Sequence, residues 1–136
     1  MTDLKRTLER LYALIPRGRK LGLERMQAAC ARFGNPERSF TAVHIAGTNG
    51  KGTVAAFVDS MGRAAGLRVG LYTSPHLQRF AERMVIDGAP IDDDTLVASL
   101  DRVMDAAPDL TFFEVATLAA FLAFKEAGVQ LAILEV

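Results

Sequence analysis

Phe40-Thr41-Ala42-Val43-His44-Ile45-Ala46-Gly47-Thr48-Asn49-Gly50-Lys51-Gly52-Thr53 is the stretch on which the fold turns. Its first half, residues 40–46, is a short, mostly apolar run that ends at a glycine, the pattern of a buried strand. Val54, Phe57, Val58, Met61 and Ala65 then recur at helical spacing, and Gly66 supplies a C-terminal stop. Between strand and helix, glycines at 47, 50 and 52 free the backbone to curl its N–H groups inward, where phosphate oxygens can accept from them. The helix that follows aims the positive end of its dipole at the same point. Lys51 can reach the β- and γ-phosphates of a nucleotide, and Thr53 offers a hydroxyl near the metal that accompanies them. The spacing reads Gly-x2-Gly-Lys-Gly-Thr, with one glycine more before the hydroxyl residue than the common phosphate loop carries. A glycine-rich turn with a solvated Lys51 is the plain alternative. The strand-to-helix position favours the phosphate loop.

Outward from this stretch the chain alternates short strands with longer helices. Leu4, Leu8, Leu11 and Ile15 mark one face of a first helix, which Pro16 and Gly18 end. Leu23, Met26, Cys30 and Phe33 mark a second, closed by Gly34-Asn35-Pro36. Residues 68–73 predict a strand, and residues 84–91 a hairpin or lid edge around Asp87-Gly88. A helix is predicted over 93–106, with Leu96, Val97, Leu100, Val103 and Met104 inward. Another is predicted over 112–127, apolar nearly all round and so deeply buried. Residues 130–136 are a continuous apolar run of the kind found in parallel sheets covered on both faces. The fold expected is α/β: a parallel sheet with a phosphate loop, preceded by two N-terminal helices. Residues 1–38 form the helical segment and 39–136 the first part of an ATP-binding domain. The chain stops inside an apolar strand without a turn or cap, which leads us to expect the front of something longer.

Composition excludes several classes. Half of the 136 residues are hydrophobic, and 16 basic residues balance 16 acidic ones, so no basic excess points to nucleic acid. The one cysteine, Cys30, rules out an internal disulfide framework and suits a reducing compartment. Cys30 lies on an apolar helix face and is read as packing. The N-terminus lacks the apolar core of a signal peptide, and residues 115–124 are too short for a bilayer, which needs about 20 residues. A cytosolic protein that touches neither membrane nor nucleic acid is expected.

A resemblance sharpens this reading. Val43 to Thr53, then Leu71-Tyr72-Thr73-Ser74-Pro75-His76-Leu77, then Phe113-Glu114 and Ile133-Leu134-Glu135-Val136 occur in order, and together they resemble the folylpolyglutamate synthase and dihydrofolate synthase family, relatives of the Mur ligases. Leu21-Gly22-Leu23-Glu24-Arg25 is similar to that family's N-terminal signature. The resemblance implies the first third of such an enzyme, with a Mur-ligase-type central ATPase domain left incomplete and the glutamate-binding domain outside the chain. It implies ATP- and Mg2+-dependent addition of L-glutamate to dihydropteroate, to a reduced folate, or to both, by a protein acting as a monomer. The carboxylate would become an acyl phosphate, which the glutamate amine would displace. Gly47, Thr48, Asn49, Gly50, Lys51, Gly52 and Thr53 would hold ATP, with Lys51 catalytic. Ser74 and Glu135 match positions that hold Mg2+, a hard ion suited to oxygen donors. Gly18, Arg19, Lys20 and Leu21, with Thr111, Phe112, Phe113 and Glu114, match regions that contact the pterin. This chain alone would be inactive as a ligase.

Plainer readings stand beside these. Glu135 could be an ordinary polar strand end, yet ligands of open α/β sheets gather at the carboxyl ends of strands. Ser74-Pro75 is a common turn. Thr111-x-x-Glu114 before an apolar run is a capping box, compatible with a pterin role only if the cap borders the pocket. Phe112 and Phe113 could stack on a heteroaromatic ring, or one could be core. His76 and His44 read as structural, His44 as a packed strand residue. Asp92, Asp93 and Asp94 open a helix, where acidic side chains favour the dipole over a metal cluster. Arg17 to Lys20 is by default a solvated basic turn. Two further readings remain, a Mur-type amide ligase acting on another carboxylate and a nucleotide-binding module without catalysis.

Overall fold

Five strands and five α-helices form among the residues that a computed structural model of the chain describes, 3–18, 20, 22–47, 50–73 and 80–135. Contacts divide the chain into two compact units, Met1–Glu37 with Asp93–Ala123, and Arg38–Asp92 with Phe124–Val136.

The first unit is helical. Helix α1 (Asp3–Tyr12) packs on α4 (Asp93–Ala106), with Leu11, Leu100 and Val103 fully buried. The first-helix period breaks at Tyr12: Ile15 falls in a separate 3-10 turn, Ile15–Arg17, and is 54% exposed rather than on the buried stripe. Pro16 is the reason, because a proline inside the helix would forfeit a backbone bond. The buried Thr7 hydroxyl donates to Asp101 at 3.1 Å. Helix α2 (Glu24–Arg32) ends where Gly34 and Asn35 take positive φ of 75° and 57°, with the Asn35 N–H donating to the Cys30 carbonyl at 2.8 Å. Helix α5 (Phe112–Glu126) is buried along most of its length, as its apolar sequence predicts.

The second unit is a five-stranded sheet, built from β1 (Thr41–Ile45), β2 (Val69–Thr73), β3 (Met84–Ile86), β4 (Ala89–Pro90) and β5 (Leu131–Glu135) in the order β1-β5-β2-β3-β4. The three long strands are parallel. β5 is inserted between β1 and β2 and pairs with both, which accounts for its unbroken apolar sequence. β3 and β4 extend the sheet as an antiparallel hairpin whose two-residue turn, Asp87-Gly88, has positive φ at both positions. Asp87 locks that turn to β2: its carboxylate accepts from the Val69 N–H, and its own N–H donates to the Val69 carbonyl, both at 2.8 Å.

Helix α3 (Lys51–Ala64) lies on one face of the sheet, where Ala55 joins Ile45, Val69 and Ile133 in a buried cluster flanked by Val58. Its period is helical as expected, but the inward residues are the small ones. Val54, Phe57 and Met61 are 48%, 63% and 61% exposed. A Cβ at Gly62 would come within 2.8 Å of Val69, so the helix and sheet approach through a glycine. At Gly70 the Phe124 ring occupies the space a side chain would take, its nearest atoms 2.9 Å from an ideal Cβ.

These two glycines predict different costs. Gly70→Ala should destabilise the chain by about 1–3 kcal/mol in urea unfolding, because a rigid ring cannot yield as a flexible side chain can. Gly62→Ala should cost less, since alanine regains about 1 kcal/mol of helix propensity and the Val69 methyl can shift. Equal losses at both sites would reject this account.

Candidate nucleotide and pterin sites

The carboxyl ends of the three parallel strands meet on one rung. Ile45 and Thr73 both pair with Glu135, so the loop leaving β1 starts level with Glu135 and the last residue of β2. Gly47 (φ 131°) begins the loop and Gly50 (φ 77°, left-handed) caps α3, two conformations that L side chains rarely adopt. Lys51 is the first residue of α3, and Gly52 and Thr53 complete its exposed first turn.

Gly52 tests whether this loop fits a phosphate. A glycine one residue inside a helix is disfavoured by roughly 1 kcal/mol against alanine. A Cβ at Gly52, like one at Gly47 or Gly50, would meet nothing within 4 Å. Packing among the described residues therefore does not demand glycine at 52, whereas close approach of a ligand to the backbone would. A shallow depression of about 450 Å3 opens over Gly52, Thr53, Ala56, Phe57 and Ser60. For a divalent ion the donors suit a hard cation: the Glu135 carboxylate and the Thr53 hydroxyl. Asp93 and Asp94 stand in the first turn of α4, as the helix-start reading has them. Thr48, Asn49, Ser74 and His76 lie outside the described residues.

The helical unit contains a cavity of about 600 Å3. Gly18, Lys20, Gly22 and Leu23 line one side, Thr111, Phe113, Glu114 and Thr117 the other, with Met26 and Phe121 contributing apolar surface. Such a volume and lining suit a drug-sized, flat, partly polar molecule. Five of the eight residues expected to contact pterin are thus brought together: Gly18, Lys20, Thr111, Phe113 and Glu114. Arg19 and Leu21 lie outside the described residues. Phe112 does not line the cavity. Its ring stacks on Tyr12 at 5.9 Å, while the Phe113 ring is 48% exposed at the cavity wall.

Glu114 serves the cap and the cavity together. Its carboxylate accepts from the Thr111 N–H at 3.0 Å, and its own N–H donates to the Thr111 hydroxyl at 3.3 Å. The same carboxylate accepts from Arg25, through Nε at 3.4 Å and Nη2 at 3.0 Å. This pair is largely buried, its side chains 22% and 12% exposed. Arg25 belongs to the Leu21–Arg25 signature stretch, but its pairing with Glu114 was not foreseen.

No family model matches the chain. It is 42% identical over 117 residues to the dihydrofolate synthase/folylpolyglutamate synthase of Bacillus subtilis, a match that covers 80% of this chain and 27% of that relative. The solved Mycobacterium tuberculosis folylpolyglutamate synthase, complexed with ADP, superposes with a TM-score of 0.86 at 38% identity, over 99% of this chain and 33% of that one. The bifunctional folylpolyglutamate synthase/dihydrofolate synthase of Yersinia pestis, complexed with AMPPNP and a Mn ion, gives 0.90 at 37% identity, over 100% of this chain and 34% of that one. The chain belongs to the folylpolyglutamate synthase/dihydrofolate synthase family. It spans about a quarter to a third of the length of these family members.

Several side chains in this family member are placed otherwise than its sequence suggests. His44 is exposed on β1, not packed, because β1 is the outer strand of the sheet and His44 alternates with Val43 and Ile45, which turn toward α3. Arg17 is an exposed turn residue, as its sequence suggests, but it is also tied down: it donates to the carbonyls of Pro108 at 2.6 Å and Leu110 at 2.8 Å. Cys30 is buried as expected, and burial, with the Glu37 carboxylate beside it, pushes its thiol up to about 11. Among the described residues no helix is long and apolar enough to cross a membrane.

The electrostatics of Glu114 give a pH dependence. Burial is the largest influence and pushes its pKa up, but the Thr111 N–H, the Arg25 guanidinium and the Thr111 hydroxyl together outweigh it and hold the carboxyl below its ordinary value. A depressed folded-state pKa stabilises the fold above the unfolded value of roughly 4.3, and that stability is lost as the pH falls through the folded value. Glu114→Gln should therefore flatten the fall of unfolding free energy below about pH 4.3, as measured by urea titrations at stepped pH. A variant whose acid limb runs parallel to that of the parent chain would show that this carboxylate carries none of it.

Proposed function

We propose that this chain is the ATP- and pterin-binding part of an ATP- and Mg2+-dependent ligase that adds L-glutamate to dihydropteroate, to reduced folates, or to both. The observation that carries the reading is the loop of Gly47, Gly50, Lys51 and Gly52 at the carboxyl edge of the parallel strands, with a glycine at 52 that packing among the described residues does not demand. The pterin cavity with its exposed Phe113 ring supports the acceptor half of the proposal, and family membership supports both. In the proposed reaction a carboxylate oxygen of the acceptor attacks the γ-phosphorus, the bond to the bridging oxygen breaks and ADP leaves. The amine of glutamate then attacks the acyl carbon, inorganic phosphate departs, and the nitrogen loses a proton as the amide forms.

Transfer of this kind asks the protein for positioning and charge neutralisation more than for covalent chemistry. Backbone N–H groups at the start of α3 and the Lys51 ammonium bind and orient the phosphates. Glu135, with Ser74 and Thr53, would hold Mg2+, which supplies further neutralisation of phosphate charge. Phe113 offers a face for a pteridine ring, and the cavity's apolar surface excludes water from it.

Calorimetric titration of the chain with Mg-ATP and, separately, with dihydropteroate tests the proposal. Binding of both is expected. ATP bound without any pteridine would transfer the reading to an amide ligase for a different carboxylate, and no ATP binding would end it. Lys51→Ala should weaken ATP at least about tenfold with the fold kept by circular dichroism, since a hydrogen bond to a charged group contributes roughly 1.5–3 kcal/mol. Unchanged ATP affinity in that variant removes the central claim. Glu135→Ala should raise the Mg2+ concentration needed for half-maximal ATP binding, and an unaltered magnesium titration rejects its metal role.

A further inference from the structure

Arg25 bonds to both walls of the cavity. On one side its Nη2 donates to the Lys20 carbonyl at 3.3 Å, and on the other its Nε and Nη2 donate to the two oxygens of Glu114. The backbone at the Lys20 wall is of a kind that needs fastening. Gly18 and Gly22, on either side of Lys20, both have positive φ, 67° and 97°, and neither contributes a side chain to packing. A side chain at Gly22 is disfavoured by its φ of 97°, while the Glu24 carboxylate nearest to an ideal Cβ there is exposed and free to move aside. Glu114, by contrast, is rigid: it belongs to a capping box at the start of a buried helix, so its position is set by backbone bonds. One guanidinium thus ties a glycine-flanked wall to a fixed one, and its planar fork makes that geometry possible where an ammonium would not.

We propose that Arg25 is a positioning residue for the pteridine, fastening the wall at Lys20 to Glu114 and so setting the width of the slot between that wall and the Phe113 ring. The inference rests on the pterin reading of the cavity given above. It differs from a merely structural ion pair in what each substitution should change. Arg25→Gln breaks both connections. Arg25→Lys keeps a positive charge for Glu114 but cannot reach two acceptors in the arginine's fixed geometry.

Two measurements on the full 136-residue chain decide it. The first needs no ligand: the rate of trypsin cleavage after Lys20. Both variants should be cut several-fold faster there than the parent chain, with Arg25→Lys keeping a thermal midpoint close to that of the parent. The second is the ratio of dihydropteroate affinity to ATP affinity by calorimetry. It should fall about tenfold or more in Arg25→Gln, and appreciably in Arg25→Lys, with ATP affinity unchanged in both. Unchanged cleavage after Lys20 in Arg25→Lys overturns the proposal, because the wall is then held by something else. Faster cleavage with an unchanged affinity ratio overturns it too, since the wall's position would not matter to the ligand. If the parent chain binds no dihydropteroate, the pterin reading fails, and the cleavage comparison still decides whether Arg25 holds the wall.

Discussion

The in-register pairing of β5 with both β1 and β2 is the constraint on which the sheet unit of this molecule depends. Leu131–Glu135 lies between two strands that come from residues 41–45 and 69–73, and the last residue of each of the three shares a rung. Side chains along a strand alternate faces, so a slip of one residue would turn Ile133 out of the cluster with Ile45, Ala55 and Val69. It would also move Glu135 off the level at which the glycine loop begins. Register is therefore fixed by burial and used by the site. Because these pairings join residues far apart in sequence, the edge that gathers Gly47, Lys51 and Glu135 is complete only once the last strand is in place.

Close approach between the elements comes from residues that lack bulk. Gly62 lets α3 settle onto Val69 and Leu131, and Gly70 makes room for the Phe124 ring where α5 runs into the second unit. Here the amphipathic period misleads as to facing. Helix α3 carries a large apolar stripe, Val54, Phe57 and Met61, and a small one, Ala55, Val58 and Gly62, and periodicity alone favours burial of the large one. The sheet takes the small one, because a helix packed over strands with Val69 and Leu131 beneath it has space only for short side chains. Element identity was legible in the spacing, while facing depended on volumes contributed by strands elsewhere in the chain.

The site divides along the same line. The glycine loop proposed to bind phosphate was legible as a strand-to-helix turn because its requirements are local: positive φ at Gly47 and Gly50, a bare backbone at Gly52 and a lysine opening the helix all fall within six residues. The capping box was legible for the same reason, since Thr111 and Glu114 are one turn apart. The pairing of Arg25 with Glu114 was hidden because the two are 89 residues apart and no periodicity links them. Phe112 and Phe113 were not separable in sequence. Neighbours on a helix point about 100° apart, and only the fold decides that one ring meets Tyr12 and the other the cavity.

The bonding of Glu114 also limits what it can do for a ligand. An ionised carboxylate offers about four acceptor positions. On Oε1, the Thr111 N–H and Arg25 Nε take two, and on Oε2, Arg25 Nη2 takes a third. The Thr111 hydroxyl also lies against this carboxylate, so at most one position is left to accept from a donor in the cavity, and Glu114 can read no more than a single amino or ring N–H. Under the proposed function that makes recognition at this wall at most one hydrogen bond deep, with the remainder of the affinity carried by the Phe113 face and the apolar surface of Met26 and Phe121. A carboxylate held ionised by Arg25 and the cap suits such a role, because it stays an acceptor at neutral pH and needs no proton of its own to bind.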